Sequence, residues 1–283
     1  MTYIEGRNLF RSQLKVFFEI NEIDFYYKMI LKSFFKIEPT SLALEPKTLF
    51  LPAKVKIIKA VLQRLLNEEP LQYILGTTSF RSLELMVTPA VLIPRPETEE
   101  LVEWVLEDYK SINCKHLLID MGTGSGCIAI SLAKEQPFFN VTALDISSKA
   151  LEIAKSNAIK NKTIINFLQA DITALSSEIF PVNVIVSNPP YIHPREKKEM
   201  KNNVLNNEPP IALFVPEEDP LLFYRCILEY AQKNLLPDGV IYFEINPYFL
   251  SEMKNLILSI TNYSIEERKD IFGKVRMLRL QSH

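Results

Sequence analysis

From His116 to Ser259, short apolar runs alternate with segments of helical period, and that alternation admits few folds. Strands are expected at His116–Asp120, Asn140–Asp145, Ile164–Leu168, Val182–Ser187 and Val240–Ile245. Helices are expected between and after them, at Gly126–Glu135, Ser147–Asn161, Pro220–Asn234 and Pro247–Ser259. The chain then closes in an antiparallel hairpin, Tyr263–Arg268 with Lys274–Leu280, turning at Phe272-Gly273. Strand–helix–strand repeats of this kind imply an α/β fold: a doubly wound, largely parallel sheet that binds ligands at the carboxyl ends of its strands.

Residues 1–72 have another period. In Val55–Leu66 the residues Ile58, Val61, Leu62, Leu65 and Leu66 fall on one helical face, and Leu9–Ile20 and Ile23–Ile37 are similar but richer in aromatics. This stretch reads as a small all-α bundle that recognises or positions a partner and holds no chemical constellation of its own. Residues 73–95 shorten in period and carry Gly76, Pro89 and Pro94, so a β-hairpin connector is expected there. A domain spanning 96–283 follows. It opens on a proline-started helix running to Tyr109, whose acidic first turn suits the helix dipole.

Three of the seven glycines fall within five residues, in Asp120-Met121-Gly122-Thr123-Gly124-Ser125-Gly126, between the first strand of the alternating series and its helix. Close approach of a backbone to a ligand needs such residues. The spacing is not that of a dinucleotide fingerprint, and no Lys-Ser/Thr follows as a phosphate loop requires. Asp145 ends the next strand, about 20 residues on, where an acidic side chain accepts hydrogen bonds from both hydroxyls of a ribose. Asp171 ends the third strand, where an adenine amino group is expected to lie. Candidate cofactor-binding residues are therefore Gly122, Thr123, Gly124, Ser125, Gly126, Asp145 and Asp171, with Asn188 beside them.

The fourth apolar run ends in Asn188-Pro189-Pro190-Tyr191. Neither proline has an N–H, and each ring holds φ near about -65°. Each also pushes the residue before it, Asn188 and Pro189, toward extended backbone. The Asn188 side-chain oxygen and the Pro189 carbonyl then form two rigid acceptors with no donor between them, a match for the two hydrogens of a planar –NH2 group. Asn188, Pro189 and Tyr191 are candidate catalytic residues. Asn188, Pro189, Pro190 and Tyr191 are candidate substrate-binding residues.

Composition excludes several other classes. Net charge is -2, so no general attraction to nucleic acid or anionic lipid is expected. Three cysteines (Cys114, Cys127, Cys226) stand far apart, which argues for reduced thiols, and the three histidines (His116, His193, His283) lack ligand spacing, so no metal is expected. Met1–Arg7 carries Glu5 and no long apolar run, and no uncharged apolar stretch of about 18 residues occurs. The expectation is a soluble, cytoplasmic monomer.

Taken together, the glycine loop, Asp145 and Asn188–Tyr191 resemble S-adenosylmethionine-dependent methyltransferases of the seven-strand class that act on planar nitrogens. More narrowly, Pro70-Leu71-Gln72-Tyr73-Ile74-Leu75-Gly76, Leu92-Ile93-Pro94-Arg95-Pro96-Glu97-Thr98-Glu99 and Ser187-Asn188-Pro189-Pro190-Tyr191-Ile192 look like the release factor glutamine methyltransferases, the HemK/PrmC family. The likeness runs through nearly the whole chain. It implies a helical-bundle domain ahead of a seven-strand Rossmann-like sheet, mostly parallel with a carboxyl-terminal antiparallel hairpin. It implies S-adenosylmethionine as cofactor and methylation of the side-chain amide nitrogen (N5) of the Gly-Gly-Gln glutamine in class 1 peptide chain release factors, which tunes translation termination. By the same resemblance Asn188–Tyr191 bind that glutamine and Gly122–Gly126 with Asp145 hold the cofactor; from its aromatic face, Tyr191 is expected against the substrate amide and the sulfonium.

Two positions depart from the family pattern. Asn183 stands where an Asp is common, and Ala212-Leu213 is followed by Phe214–Pro220 without a glycine where the family is usually glycine-rich. The segment Pro94–Thr98 and the pair Glu208-Pro209 each admit two roles, lining the cleft or holding structure. One rival keeps the chemistry and moves it to the adenine-N6 or guanine-N2 amine of DNA or RNA; the slightly acidic chain, without a basic arm, argues against it. A non-catalytic S-adenosylmethionine-binding module is the other, and the intact loop, acid and amide clamp argue against that.

Overall fold

The computed structural model describes residues 1–175 and 181–282. Contacts between Cα atoms divide the chain into two compact units, Met1–Thr77 with Lys201–Asn207, and Thr78–Met200 with Glu208–His283.

In the first unit the helices are α1 (Tyr3–Leu14), α2 (Ile20–Phe35), α3 (Pro39–Leu44), α4 (Pro52–Leu66) and α5 (Leu71–Leu75). Thr2 and Glu5 form a capping box: the Glu5 N–H donates to the Thr2 hydroxyl at 3.2 Å and the Thr2 N–H to the Glu5 carboxylate at 2.8 Å. That reciprocal cap starts α1 ahead of the expected Leu9; the helix ends at Leu14, and Ile20 opens α2. Ile58, Val61, Leu62 and Leu65 bury the expected face of α4 against Phe10, Leu14, Ile23, Tyr27 and Ile30. Each such side chain contributes about 1.5–3 kcal/mol by burial. Residues Tyr73–Leu75, expected in the connector, are helical instead. Leu71, Tyr73 and Ile74 are buried, and the turn stops at Gly76 with φ 73°, a conformation that suits glycine.

The hairpin is confined to β1 (Thr77–Phe80) and β2 (Leu83–Met86). Then come α6 (Pro96–Asp108), β3 (His116–Met121), α7 (Cys127–Glu135), β4 (Phe139–Asp145), α8 (Ser148–Asn161), β5 (Asn166–Gln169), β6 (Val182–Ser187), α9 (Asn202–Asn207), α10 (Leu222–Asn234), β7 (Leu235–Glu244), α11 (Leu250–Ile260), β8 (Ser264–Lys269) and β9 (Val275–Gln281). The short α9 groups with the first unit, where the Asn207 amide donates to the Glu68 carbonyl at 3.3 Å. Pro247–Phe249, expected as the start of α11, is a separate 3-10 turn. β5 starts at Asn166 because Ile164 is 95% exposed and pairs with nothing in the sheet. β7 reaches back to Leu235, which pairs with Val182, while Asp238 at φ 60° carries an irregularity through the Pro237-Asp238-Gly239 turn signal.

The seven strands are ordered β5-β4-β3-β6-β7-β9-β8, parallel from β5 to β7 and antiparallel at β9 and β8. Side chains alternate between two cores. Leu118, Val184, Val186 and Tyr242 pack with α6, α7 and Trp104 on one face, and Ile119, Ile185, Ile241 and Phe243 pack with α10 and α11 on the other. The chain winds outward through β3, β4 and β5 and returns to place β6 beside β3, with Asp120 opposite Val186. That reversal opens a crevice at the carboxyl ends of β3 and β6, which carry the glycine loop and Asn188.

Candidate active site

The glycine loop leaves β3 with left-handed glycines at alternate positions, Gly122 at φ 83°, Gly124 at 55° and Gly126 at 83°. Their surroundings differ. A Cβ on Gly124 would meet nothing within 4 Å, and one on Gly122 only Ile172 at 3.9 Å, so both present bare backbone to open space. On Gly126 a Cβ would lie 2.9 Å from Ile130 and 3.2 Å from Ala154, so this glycine allows α7 to close on α8. Thr123 and Ser125 turn inward: the Thr123 hydroxyl donates to Asp120 at 2.6 Å, and the Ser125 carbonyl accepts from Asn157 at 2.9 Å. Asn157, fully buried on α8, also donates to the Met86 carbonyl at 3.0 Å and so ties β2 to the loop.

Beside the loop lies a cavity of about 260 Å³ lined by Gly122, Gly124, Asp145, Asp171, Asn188 and Pro190, among others. Asp145 accepts from the Gly124 N–H at 2.8 Å and the Ser147 N–H at 2.9 Å, and burial raises its carboxyl above the ordinary value. A carboxylate has about four lone-pair sites, so acceptor capacity remains for a diol. Asp171 sits just past β5, where one oxygen accepts from the Thr173 N–H at 2.8 Å and hydroxyl at 2.7 Å. Asp120 is wholly buried below the loop. Desolvation pushes its carboxyl up to about 7, and its Oδ1 has no partner among the described residues.

The β6 end is organised by a buried chain of hydrogen bonds. The Asn188 amide nitrogen donates to the Thr98 hydroxyl at 3.1 Å, and Thr98 donates to Glu244 at 2.7 Å. The Tyr191 hydroxyl donates to the other Glu244 oxygen at 3.0 Å. Thr98 is 3% exposed and Glu244 1%, and burial raises the Glu244 carboxyl. Tyr191 therefore turns its hydroxyl into β7, and its phenol is held well above the ordinary value by the same desolvation. It lines a different concavity with Glu196, Asn246 and Arg276, whereas Asn188 and Pro190 line the cavity beside the glycine loop. Pro189 is buried between them, and no donor meets its carbonyl among the described residues.

Two further ties shape this edge. Glu208, almost fully buried, accepts from the Ile93 N–H at 3.2 Å and pairs with the Arg95 guanidinium at 2.5 Å, fixing the approach to α6. The stretch after it runs as a 3-10 turn at Pro210–Ala212, then pairs with the strand leaving Tyr191: Ile192 N–H donates to Leu213 at 2.9 Å and Val215 N–H to Ile192 at 3.1 Å. No residue of this stretch has a positive φ, so the missing glycines are not required. Asn183 accepts from the Leu117 N–H at 2.8 Å, a role its oxygen shares with the carboxylate of Asp. Glu244 and Asn157 escaped the sequence reading. The signal for Glu244 was present, a lone acid within the apolar run Val240–Ile245 that had to find buried partners. Asn157 carries no such mark, because a polar residue on an amphipathic helix ordinarily faces water.

Among known families, the chain matches the Methyltransferase small domain over residues 105–209 and the PrmC N-terminal domain over residues 9–76. It is 42% identical to the release factor glutamine methyltransferase of Flavobacterium psychrophilum over 276 residues, 97% of each chain. It is 44% identical to that of Bacteroides thetaiotaomicron over 226 residues, 80% of each. A solved structure, the T. thermophilus 16S rRNA N2 G1207 methyltransferase with AdoMet and guanosine, shares the fold at TM-score 0.55 and 15% identity, over 73% of this chain and 50% of that one.

Proposed function

The chain belongs to the release factor glutamine methyltransferases, and from that premise we propose that it methylates the N5 side-chain amide nitrogen of the Gly-Gly-Gln glutamine in class 1 peptide chain release factors. The observation that carries this reading is the meeting, at one cavity, of bare glycine backbone, two acidic side chains and the Asn188 amide. The donor set fits S-adenosylmethionine. Asp145 would take the ribose hydroxyls and Asp171 the adenine amino group, while Gly122 and Gly124 let the ligand lie against backbone. When bound, that cofactor supplies a methyl carbon made electrophilic by its sulfonium.

The protein's own task is to prepare the nucleophile. An amide nitrogen is weak because its lone pair is delocalised into the carbonyl. The Asn188 Oδ1 and the Pro189 carbonyl accept its two hydrogens, orient it, and stabilise the positive charge that grows on nitrogen as it is alkylated. Holding the reacting atoms in line contributes on the order of 7–11 kcal/mol in favourable cases. No base has to act first: once cationic, the nitrogen sheds its proton to water. His193 is engaged with the Glu217 carbonyl and the Arg195 N–H and does not line the cavity.

The helical bundle of residues 1–72 is assigned to docking of the release factor, and the protein is assigned to the cytoplasm as a monomer. Its three cysteines are free and no helix among the described residues is long and apolar enough to cross a membrane, in keeping with that assignment. Mass spectrometry of a class 1 release factor incubated with the protein and S-adenosylmethionine tests the reading. A single methyl on the Gly-Gly-Gln glutamine is expected. An unmodified factor, with methyl appearing on nucleic acid amines instead, would overturn the substrate.

A further inference from the structure

The chain from Asn188 to Glu244 has a direction, and that direction selects which end of the Asn188 amide meets the substrate. The Thr98 hydroxyl owns one hydrogen, and it is given to Glu244 Oε2 at 2.7 Å. Glu244 Oε1 is taken by the Tyr191 hydroxyl at 3.0 Å, and the Glu244 main-chain carbonyl by the Tyr224 hydroxyl at 2.9 Å. With its hydrogen spent, Thr98 can only accept from Asn188. An Asn oxygen turned toward it would face lone pair against lone pair at a threonine that is 3% exposed. The Asn188 NH2 is therefore drawn to Thr98, at 3.1 Å, and Oδ1 is left as the free end of the amide.

We propose that Thr98 and Glu244 are positioning residues that lock the Asn188 side chain with its oxygen presented to the substrate amide. This rests on the methyltransferase reading above and adds to it how the acceptor is oriented. Neither residue needs to touch substrate or cofactor. Without the lock an Asn side chain is free to turn over by half a rotation, which exchanges an acceptor for a donor and opposes the substrate N–H it should receive. The same arrangement explains why a fully buried acid is placed on β7: its two oxygens receive Thr98 from α6 and Tyr191 from beyond β6, so one carboxylate sets both neighbours.

Thr98→Val keeps the shape and removes the hydroxyl, whereas Thr98→Ser keeps the hydroxyl. On a Gly-Gly-Gln peptide, Thr98→Val is expected to lose about tenfold to a hundredfold in kcat while its Kd for S-adenosylmethionine stays within about threefold; Thr98→Ser should restore most of the loss. Equal kcat in Thr98→Val overturns the inference, and so does a loss that Thr98→Ser shares. A second readout needs neither turnover nor a folded variant at Thr98: the side-chain ¹H–¹⁵N pair of Asn188, assigned by its disappearance in Asn188→Ala. In the wild type the hydrogen of this pair that Thr98 holds should be protected from exchange with water, and a pair with neither hydrogen protected overturns the lock. A wild type that methylates no Gly-Gly-Gln peptide yet protects this pair would sink the proposed substrate and leave the lock standing.

Discussion

On the proposed function Asn188 holds the glutamine amide, and it forms none of the contacts that shape the glycine loop, so effects on turnover and on cofactor binding separate. Asn188→Ala is expected to lower kcat by about 10²–10³ and to change the Kd for S-adenosylmethionine far less, measured by steady-state kinetics beside calorimetry. Gly126→Ala should fail differently. Its φ of 83° and the 2.9 Å approach to Ile130 strain the loop and push α7 from α8, so cofactor affinity and thermal stability should fall together. Asp120 makes a prediction about pH. Its carboxyl lies near 7 in the folded chain against an ordinary 3.8, so the folded state holds a proton that the unfolded state has lost. Stability from this group is complete below about pH 4 and is lost as pH rises to about 7. Compared by denaturant titration across that range, the wild type should lose stability with rising pH relative to Asp120→Asn; parallel curves would contradict it. The Gly126 requirement was half legible, because the glycine cluster is visible in the sequence. Which glycine faces ligand and which faces Ala154 was not, since that depends on where α8 lies.

Among the elements, the approach to α6 and the stretch after Asn207 are held by one residue. Glu208 satisfies the Ile93 N–H and the Arg95 guanidinium across more than a hundred positions of sequence. Glu208→Ala strands a buried N–H and frees a half-exposed cation, a loss of about 1–3 kcal/mol that a fall in Tm should report. If Tm is unchanged, the tie is not structural. Within Pro94–Thr98 the contacts divide: Arg95 pairs with Glu208, while the Thr98 hydroxyl accepts from Asn188. Sequence period located these elements well and their ends less well. α1 begins at a capping box that apolar spacing does not register, and β7 begins at a single long-range pair between Leu235 and Val182. The glycine-free loop is held by main-chain pairing between Ile192, Leu213 and Val215 and by burial of the Leu213 and Val215 side chains.

At the scale of the whole molecule, the helical unit must recognise something larger than a peptide if it docks a release factor. Its α1–α2 corner carries a run of aromatic contacts, Phe17 on Phe18, Phe18 on Tyr26 and Tyr26 on Phe25, with Phe17 46% and Phe25 54% exposed. The double variant Phe17→Ser, Phe25→Ser is expected to raise KM for a whole release factor several-fold and leave that for a Gly-Gly-Gln peptide unchanged. Equal effects on both substrates would remove the corner from docking. By itself, the sequence determined the succession of strands and helices, the glycine loop, and the standing of Asp145 and of Asn188-Pro189-Pro190 at strand ends. All of these rest on local backbone demands or on apolar period, and both are written in neighbouring residues. Tertiary structure alone decided which way Asn188 faces, that Tyr191 turns its hydroxyl to Glu244, and that Asn157 holds the loop from α8. Each of those depends on partners from 32 to 146 positions away, and a hydrogen bond at that range exists only after the sheet has brought its two ends together.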